Sequence, residues 1–149
     1  MKTLKILIVL AFLASIGLFV FTNYKINSYT YNKKDEDMKF YHLLNGTKEV
    51  IYNLLNEEKA MWGKTNNTKM KFDTWKYVEY NLNEFGLKLK EREEDLFNIK
   101  ASLFLDDLND LYNLQKLVGK DLNEFDLKIE EYKKDAEKHI SDLKELVEG

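Results

Sequence analysis

The sequence predicts an all-α protein: an N-terminal transmembrane helix followed by a bundle of three or four long helices with coiled-coil (heptad) character. Three observations carry this. Ile6 to Phe21 are sixteen consecutive positions without a charged or strongly polar side chain, and twelve of them are Leu, Ile, Val or Phe. Proline is absent, where ordinary usage of ~5% would give about seven, and long helices are the structures that dispense with it. Apolar residues then recur at heptad spacing through the second half of the chain.

Residues 1–23 are expected to form the membrane anchor. Leu4 to Asn23 is twenty residues, about 30 Å as a helix, which matches a ~30 Å hydrocarbon core. The apolar side chains favour insertion by about 4–7 kcal/mol before the small residues Ala11, Ala14, Ser15 and Gly17 reduce it. Lys5 reaches the headgroups by snorkelling, and Tyr24 suits the far interface. The rival reading is a cleaved signal peptide, cut at Ser15-Ile16-Gly17, which would make the product a secreted helical protein. That cut leaves Leu18-Phe19-Val20-Phe21 as an apolar new terminus, so the uncleaved anchor is preferred. There is no cysteine to carry a lipid. The expected contact with the bilayer is through residues 4–23. Lys2 and Lys5 keep the N-terminus cytoplasmic and place the rest outside, although Lys25, Lys33 and Lys34 reduce the asymmetry.

Residues 24–34 read as a polar linker, and 35–149 as the exported helical domain. Asp35 or Asp37 is a candidate cap for a first helix reaching about Trp62, with Tyr41, Leu44, Ile51, Leu54, Leu55 and Met61 on one face. Gly46 interrupts it. Gly63-Lys64-Thr65-Asn66-Asn67-Thr68 is the clearest loop, with Gly63 as a C-cap signal and Thr68 as a candidate N-cap. Beyond it, Trp75, Val78, Leu82, Phe85, Leu89, Arg92, Leu96, Ile99 and Leu103 form one heptad stripe, broken only by Arg92.

A second stripe is out of phase with the first. Its expected interaction seam is Leu108, Leu111, Val118, Leu122, Phe125, Ile129, Tyr132, Leu143 and Leu146. The phase shift, placed between Leu103 and Leu108, means either a turn or a local change of winding. Gly119-Lys120-Asp121 reads as a break with Asp121 as N-cap, yet the heptad passes through it in phase. Extra apolar residues between Leu96 and Val118, among them Phe97, Phe104 and Leu105, widen the face beyond a two-stranded seam and favour a bundle, with a final helix that can project as a coiled coil. Leu82–Lys88 also echoes Leu122–Lys128 forty residues later, by duplication or by compositional chance.

The chemistry is sparse. Setting aside Lys2, Lys5 and Lys25 leaves 20 basic against 26 acidic residues in the exported part, a net of −6, which disfavours nucleic acid and anionic lipid surfaces. The absence of cysteine excludes disulfides, thiol nucleophiles and Cys-ligated zinc. A di-iron bundle needs Glu-x-x-His, whereas His139 follows Ala136 and His42 follows Lys39 at that spacing. His139 therefore reads as an ordinary seam residue and Arg92 as a register-fixing or edge residue. Phe72, Trp75, Tyr77 and Tyr80 with Trp62 form either a recognition surface or, as preferred, a plug at one end of the bundle. Asn45-Gly46-Thr47 and Asn66-Asn67-Thr68 match the glycosylation sequon, at a frequency an Asn-rich chain produces by chance. No phosphate loop, catalytic triad, cofactor site or small-molecule site is evident. The expectation is a non-enzymatic scaffold, tether or assembly subunit that binds a protein partner or itself, with an extracytoplasmic ligand-sensing bundle as the alternative.

Overall fold

The computed structural model describes residues 33–61, 68–118 and 120–149. The anchor at 1–23, the linker up to residue 32, the loop at 62–67 and Gly119 lie outside the described residues. By its internal packing the chain divides into Met1–Asp37 and Met38–Gly149. Of the first unit, residues 33–37 are described and are helical. The described residues of the second unit form an all-helical bundle.

Four α-helices are described: α1 over 33–60, α2 over Thr68–Glu91, α3 over Leu96–Asn113 and α4 over Leu122–Glu148, with a 3-10 turn at Leu114–Leu117 between the last two. Helix α1 is already under way at residue 33, so Asp35 and Asp37 lie inside it and do not cap it. Neighbouring helices run antiparallel. Phe40 and Glu58 of α1 meet Phe85 and Trp75 of α2, and Leu89 and Trp75 of α2 meet Asn98 and Tyr112 of α3. Lys48 and Lys59 of α1 meet Glu137 and Asp126 of α4, which closes the ring.

The core is built from one stripe of each helix. Phe40, Leu44, Ile51 and Leu55 of α1 are fully buried, and Trp75, Val78, Leu82, Phe85 and Leu89 supply α2. This is the helical spacing at which each apolar face is removed from water, worth roughly 1.5–3 kcal/mol for a fully buried large side chain. Phe40 is the hub of one end. It packs edge-on to Phe85 at 5.6 Å and lies 6.1 Å from Phe97, so α1, α2 and α3 converge on one ring.

The first predicted stripe does not run to Leu103. The chain leaves the helix after Glu91, and Asp95 starts α3 as its N-cap, accepting from the Asn98 amide at 2.9 Å. Past that corner the buried set is Phe97, Ala101, Phe104, Leu108 and Leu111, while Leu96, Ile99 and Leu103 turn outward. The phase shift therefore falls at residues 92–95. Helix α3 is continuous between Leu103 and Leu108, where the sequence reading placed the change.

The connection between α3 and α4 is a real break, with Asp121 accepting from the Glu124 amide at 3.0 Å. Helix α4 does not project. Leu143 and Val147 near its end are buried with the rest of the core. Its buried face also drifts off the strict heptad: Ile140 and Val147 are buried, while His139 and Leu146 are half-buried. A straight α-helix departs from a seven-residue repeat by about 20° per heptad, and α4 follows the straight helix. Among the described residues no helix is long and apolar enough to cross a membrane.

Candidate interaction surfaces

Most of the predicted seam faces inward. Leu108, Leu111, Phe125, Ile129 and Leu143 are buried in the chain's own core, and Val118, Tyr132 and Leu146 pack against it half-buried. Leu122, the first residue of α4, is exposed. The structure thus brings eight of the nine together along the interior of one bundle, where they hold α4 to its neighbours.

Three of the polar arrangements that join the described helices are built on a buried side chain, Lys48, Asp107 or Asn98. At the α1–α4 contact, Lys48 is buried and donates to Glu137 at 2.9 Å, with Glu49 at 3.2 Å. Tyr52 donates to the same Glu137 oxygen at 3.0 Å, and the Lys133 ammonium sits 4.9 Å from the centre of its ring. Burial alone would lower the Lys48 pKa, but the hydrogen bonds and charges of Glu137 and Glu49 outweigh it and hold it above the ordinary value. The hydrogen bond from Lys48 holds Glu137 below the usual carboxylate range against a smaller opposing effect of burial. Burial, then the Glu137 charge, pushes the Tyr52 hydroxyl far up.

At the α3–α4 contact, Asp107 is buried and pairs with Nδ1 of His139. Burial raises the Asp107 pKa, the His139 hydrogen bond lowers it, and the charges of Asp135 and Asp110 raise it again, for a net upward shift. The third arrangement is the α2–α3 corner. There the buried Asn98 donates to the Leu89 carbonyl at 2.9 Å and accepts from Arg92 Nε at 3.0 Å. The Arg92 guanidinium lies 4.9 Å from the Phe97 ring centre. Arg92 thus ties the corner between α2 and α3 together.

Sequence reasoning singled out His139 and Arg92 but missed Lys48, Tyr52, Glu137, Asp107 and Asn98. One signal was legible. Asp95 directly before the apolar pair Leu96-Phe97 is an N-cap pattern, hidden because the stripe through Arg92, Leu96 and Ile99 reads as one continuing helix. Among the described residues no group of three His, Cys, Asp or Glu is placed to hold a metal ion.

The outward apolar residues fall mainly on α2 and α3. Trp75 is a plug: it is buried, donates to Glu58 and packs against Tyr112 at 5.7 Å. Phe72, Tyr77 and Tyr80 are not plugs. They are exposed, together with Leu87, on the side of α2 away from the core. Thr47 is buried and bonds back to the Leu43 carbonyl within α1, so the first sequon lies in regular helix. No family model matches this chain, and neither the curated proteins nor the solved structures contain a match.

Proposed function

We propose that this chain is a single-pass membrane protein, anchored through residues 4–23, whose helical bundle lies outside the cytoplasm. There it works as a scaffold, tether or assembly subunit through protein contacts, without catalysis. The observation that carries the contact reading is the outward set Phe72, Tyr77, Tyr80 and Leu87 on α2. Aromatic side chains supply much of the binding energy at protein interfaces, because they bury large area at little rotamer cost. The polar groups at the helix contacts pair with one another inside the bundle, which leaves the outward apolar side chains, these aromatics foremost, as surface available for recognition. The anchor reading rests on the apolar stretch from Ile6 to Phe21.

Two measurements test it. Alkaline extraction and protease protection of a C-terminally tagged full chain are expected to find it in membranes with the tag outside. A mature chain beginning past Gly17, or a tag reachable only from the cytosol, overturns the anchor. Photo-crosslinking from Tyr80 in intact cells is expected to yield a discrete protein adduct that Leu127, on α4, does not. Equal and diffuse labelling from both positions overturns the contact reading.

A further inference from the structure

A groove of about 670 Å³ runs between α2 and α3, with Gly86, Leu89 and Leu105 at its base and Ile99, Ser102 and Leu103 along the α3 side. Gly86 makes room in it: a Cβ built there meets nothing nearer than the Leu105 side chain at 4.0 Å. Leu96, Ile99 and Leu103 are 54%, 50% and 46% exposed. Their three- and four-residue spacing is that of a helix seam, displaced from the stripe α3 turns to its own core. Such a seam accepts another helix.

The order of charges selects which helix. One end of the groove carries Lys90 and Arg92, with Glu94 opposing them; the other carries Asp106, and Asp110 follows one turn later on α3. The acidic end is crowded: burial, then the charges of Asp106, Asp135 and Glu131, raise the Asp110 pKa. A parallel second copy would set acidic end on acidic end. Lys90 and Arg92 lie level with Asn98 of α3, which bonds the Leu89 carbonyl and Arg92 Nε. An antiparallel copy therefore brings Asp106 of each chain to Lys90 of the other when the two cross near Leu103, about midway between those levels. We propose that two copies of this chain pair antiparallel through the α2–α3 groove, about a two-fold axis passing near Leu103. The contact is isologous and closes at two chains. It rests on the protein-contact reading above and adds to the α2 aromatics a second surface, with its partner.

The chain has no cysteine, so single-cysteine variants of the full chain in detergent or lipid report the pairing directly. Leu103→Cys meets itself near the axis and is expected to form an interchain disulfide under mild oxidation much faster than Leu127→Cys. In the Leu103→Cys background, Lys90→Glu or Asp106→Lys is expected to slow linking by about two- to fivefold, the size of exposed charge pairs, and the two together to restore it. Gly86→Trp, checked for helicity by circular dichroism, is expected to abolish it. Equal linking from Leu103→Cys and Leu127→Cys overturns the proposal. A dimer that leaves Leu103→Cys unlinked overturns this pairing but leaves the wider contact reading standing. A monomer at every concentration, with no adduct from Tyr80, overturns both.

Discussion

Lys48 of α1 donates to Glu137 of α4 at 2.9 Å, although 89 residues separate them. Lys59 meets Asp126 at 2.7 Å across the same pair of helices, eleven residues further along α1 and eleven back along α4. That is about three turns, roughly 16 Å, so two ion pairs pin the register of α1 on α4 at separate heights.

The inner pair carries more of the energy, because Lys48 is buried whereas Lys59 is half exposed. A double-mutant cycle on Lys48→Met and Glu137→Gln is expected to give a coupling of about 1 kcal/mol in chemical denaturation, against a few tenths for Lys59 and Asp126. Glu137 titrates below its ordinary 4.5 and Lys48 above its ordinary 10.5. The Glu137 contribution is therefore complete above about pH 4.5 and is lost as pH falls through its depressed folded value; that of Lys48 is complete below about pH 10.5 and is lost as pH rises through its raised folded value. The coupling should hold between those limits and vanish outside them.

Asp107 responds in the opposite sense. Its folded pKa is raised, so its ionised form costs stability, and that cost is relieved as pH falls through the folded value. His139→Ala removes the partner of this buried carboxylate and is expected to destabilise by about 2 kcal/mol at pH 7. The loss should shrink in acid, where Asp107 is neutral. Denaturation midpoints of both chains across pH 4–8 check this; a pH-independent difference would show that Asp107 does not titrate in the pair.

The corner between α2 and α3 ranks two substitutions. Asp95→Ala removes the cap on the Asn98 amide and is expected to cost about 1 kcal/mol. Asn98→Ala leaves the buried Leu89 carbonyl without its donor and is expected to cost more, about 2–3 kcal/mol. Equal thermal shifts for the two would mean that the Leu89 carbonyl finds water.

Gly46 and Gly86 are both helical, and an added methyl has free space at the first and an ordinary contact at the second. Alanine at either position is expected to stabilise by about 0.5–1 kcal/mol, by limiting the unfolded chain. A decrease in the denaturation midpoint at Gly46 would point to a contact that the monomeric bundle does not contain.

The all-helical bundle was legible because periodicity reports burial directly. Trp75, Val78, Leu82, Phe85 and Leu89 are buried as the heptad required. What misled was the step across residues 92–95: Leu96, Ile99 and Leu103 continue the spacing of α2 and look like core, while Phe97, Ala101 and Phe104 extend the later phase backward to the corner. Two apolar stripes overlap on α3, and periodicity alone does not say which one faces in; Asp95 as a cap does. The spacing puts the seam residues on one face, but their burial within one chain was not legible, since heptads within and between chains look alike in sequence. The buried Lys48 and Asp107 gave no signal, because a lysine or aspartate in a charged helix becomes distinctive only through a residue some thirty to ninety positions away.

Because each helix packs against the one that follows it, most of the structure can form by zipping adjacent hairpins, the arrangement of low contact order that folds in microseconds to milliseconds. The contact of α1 with α4 is the exception, for it joins the two ends of the described bundle. The Lys48–Glu137 latch should therefore be late to form and early to open. Hydrogen exchange would then find α1 less protected than the α3–α4 hairpin, making the segment next to the proposed anchor the one most readily peeled away by mechanical pull.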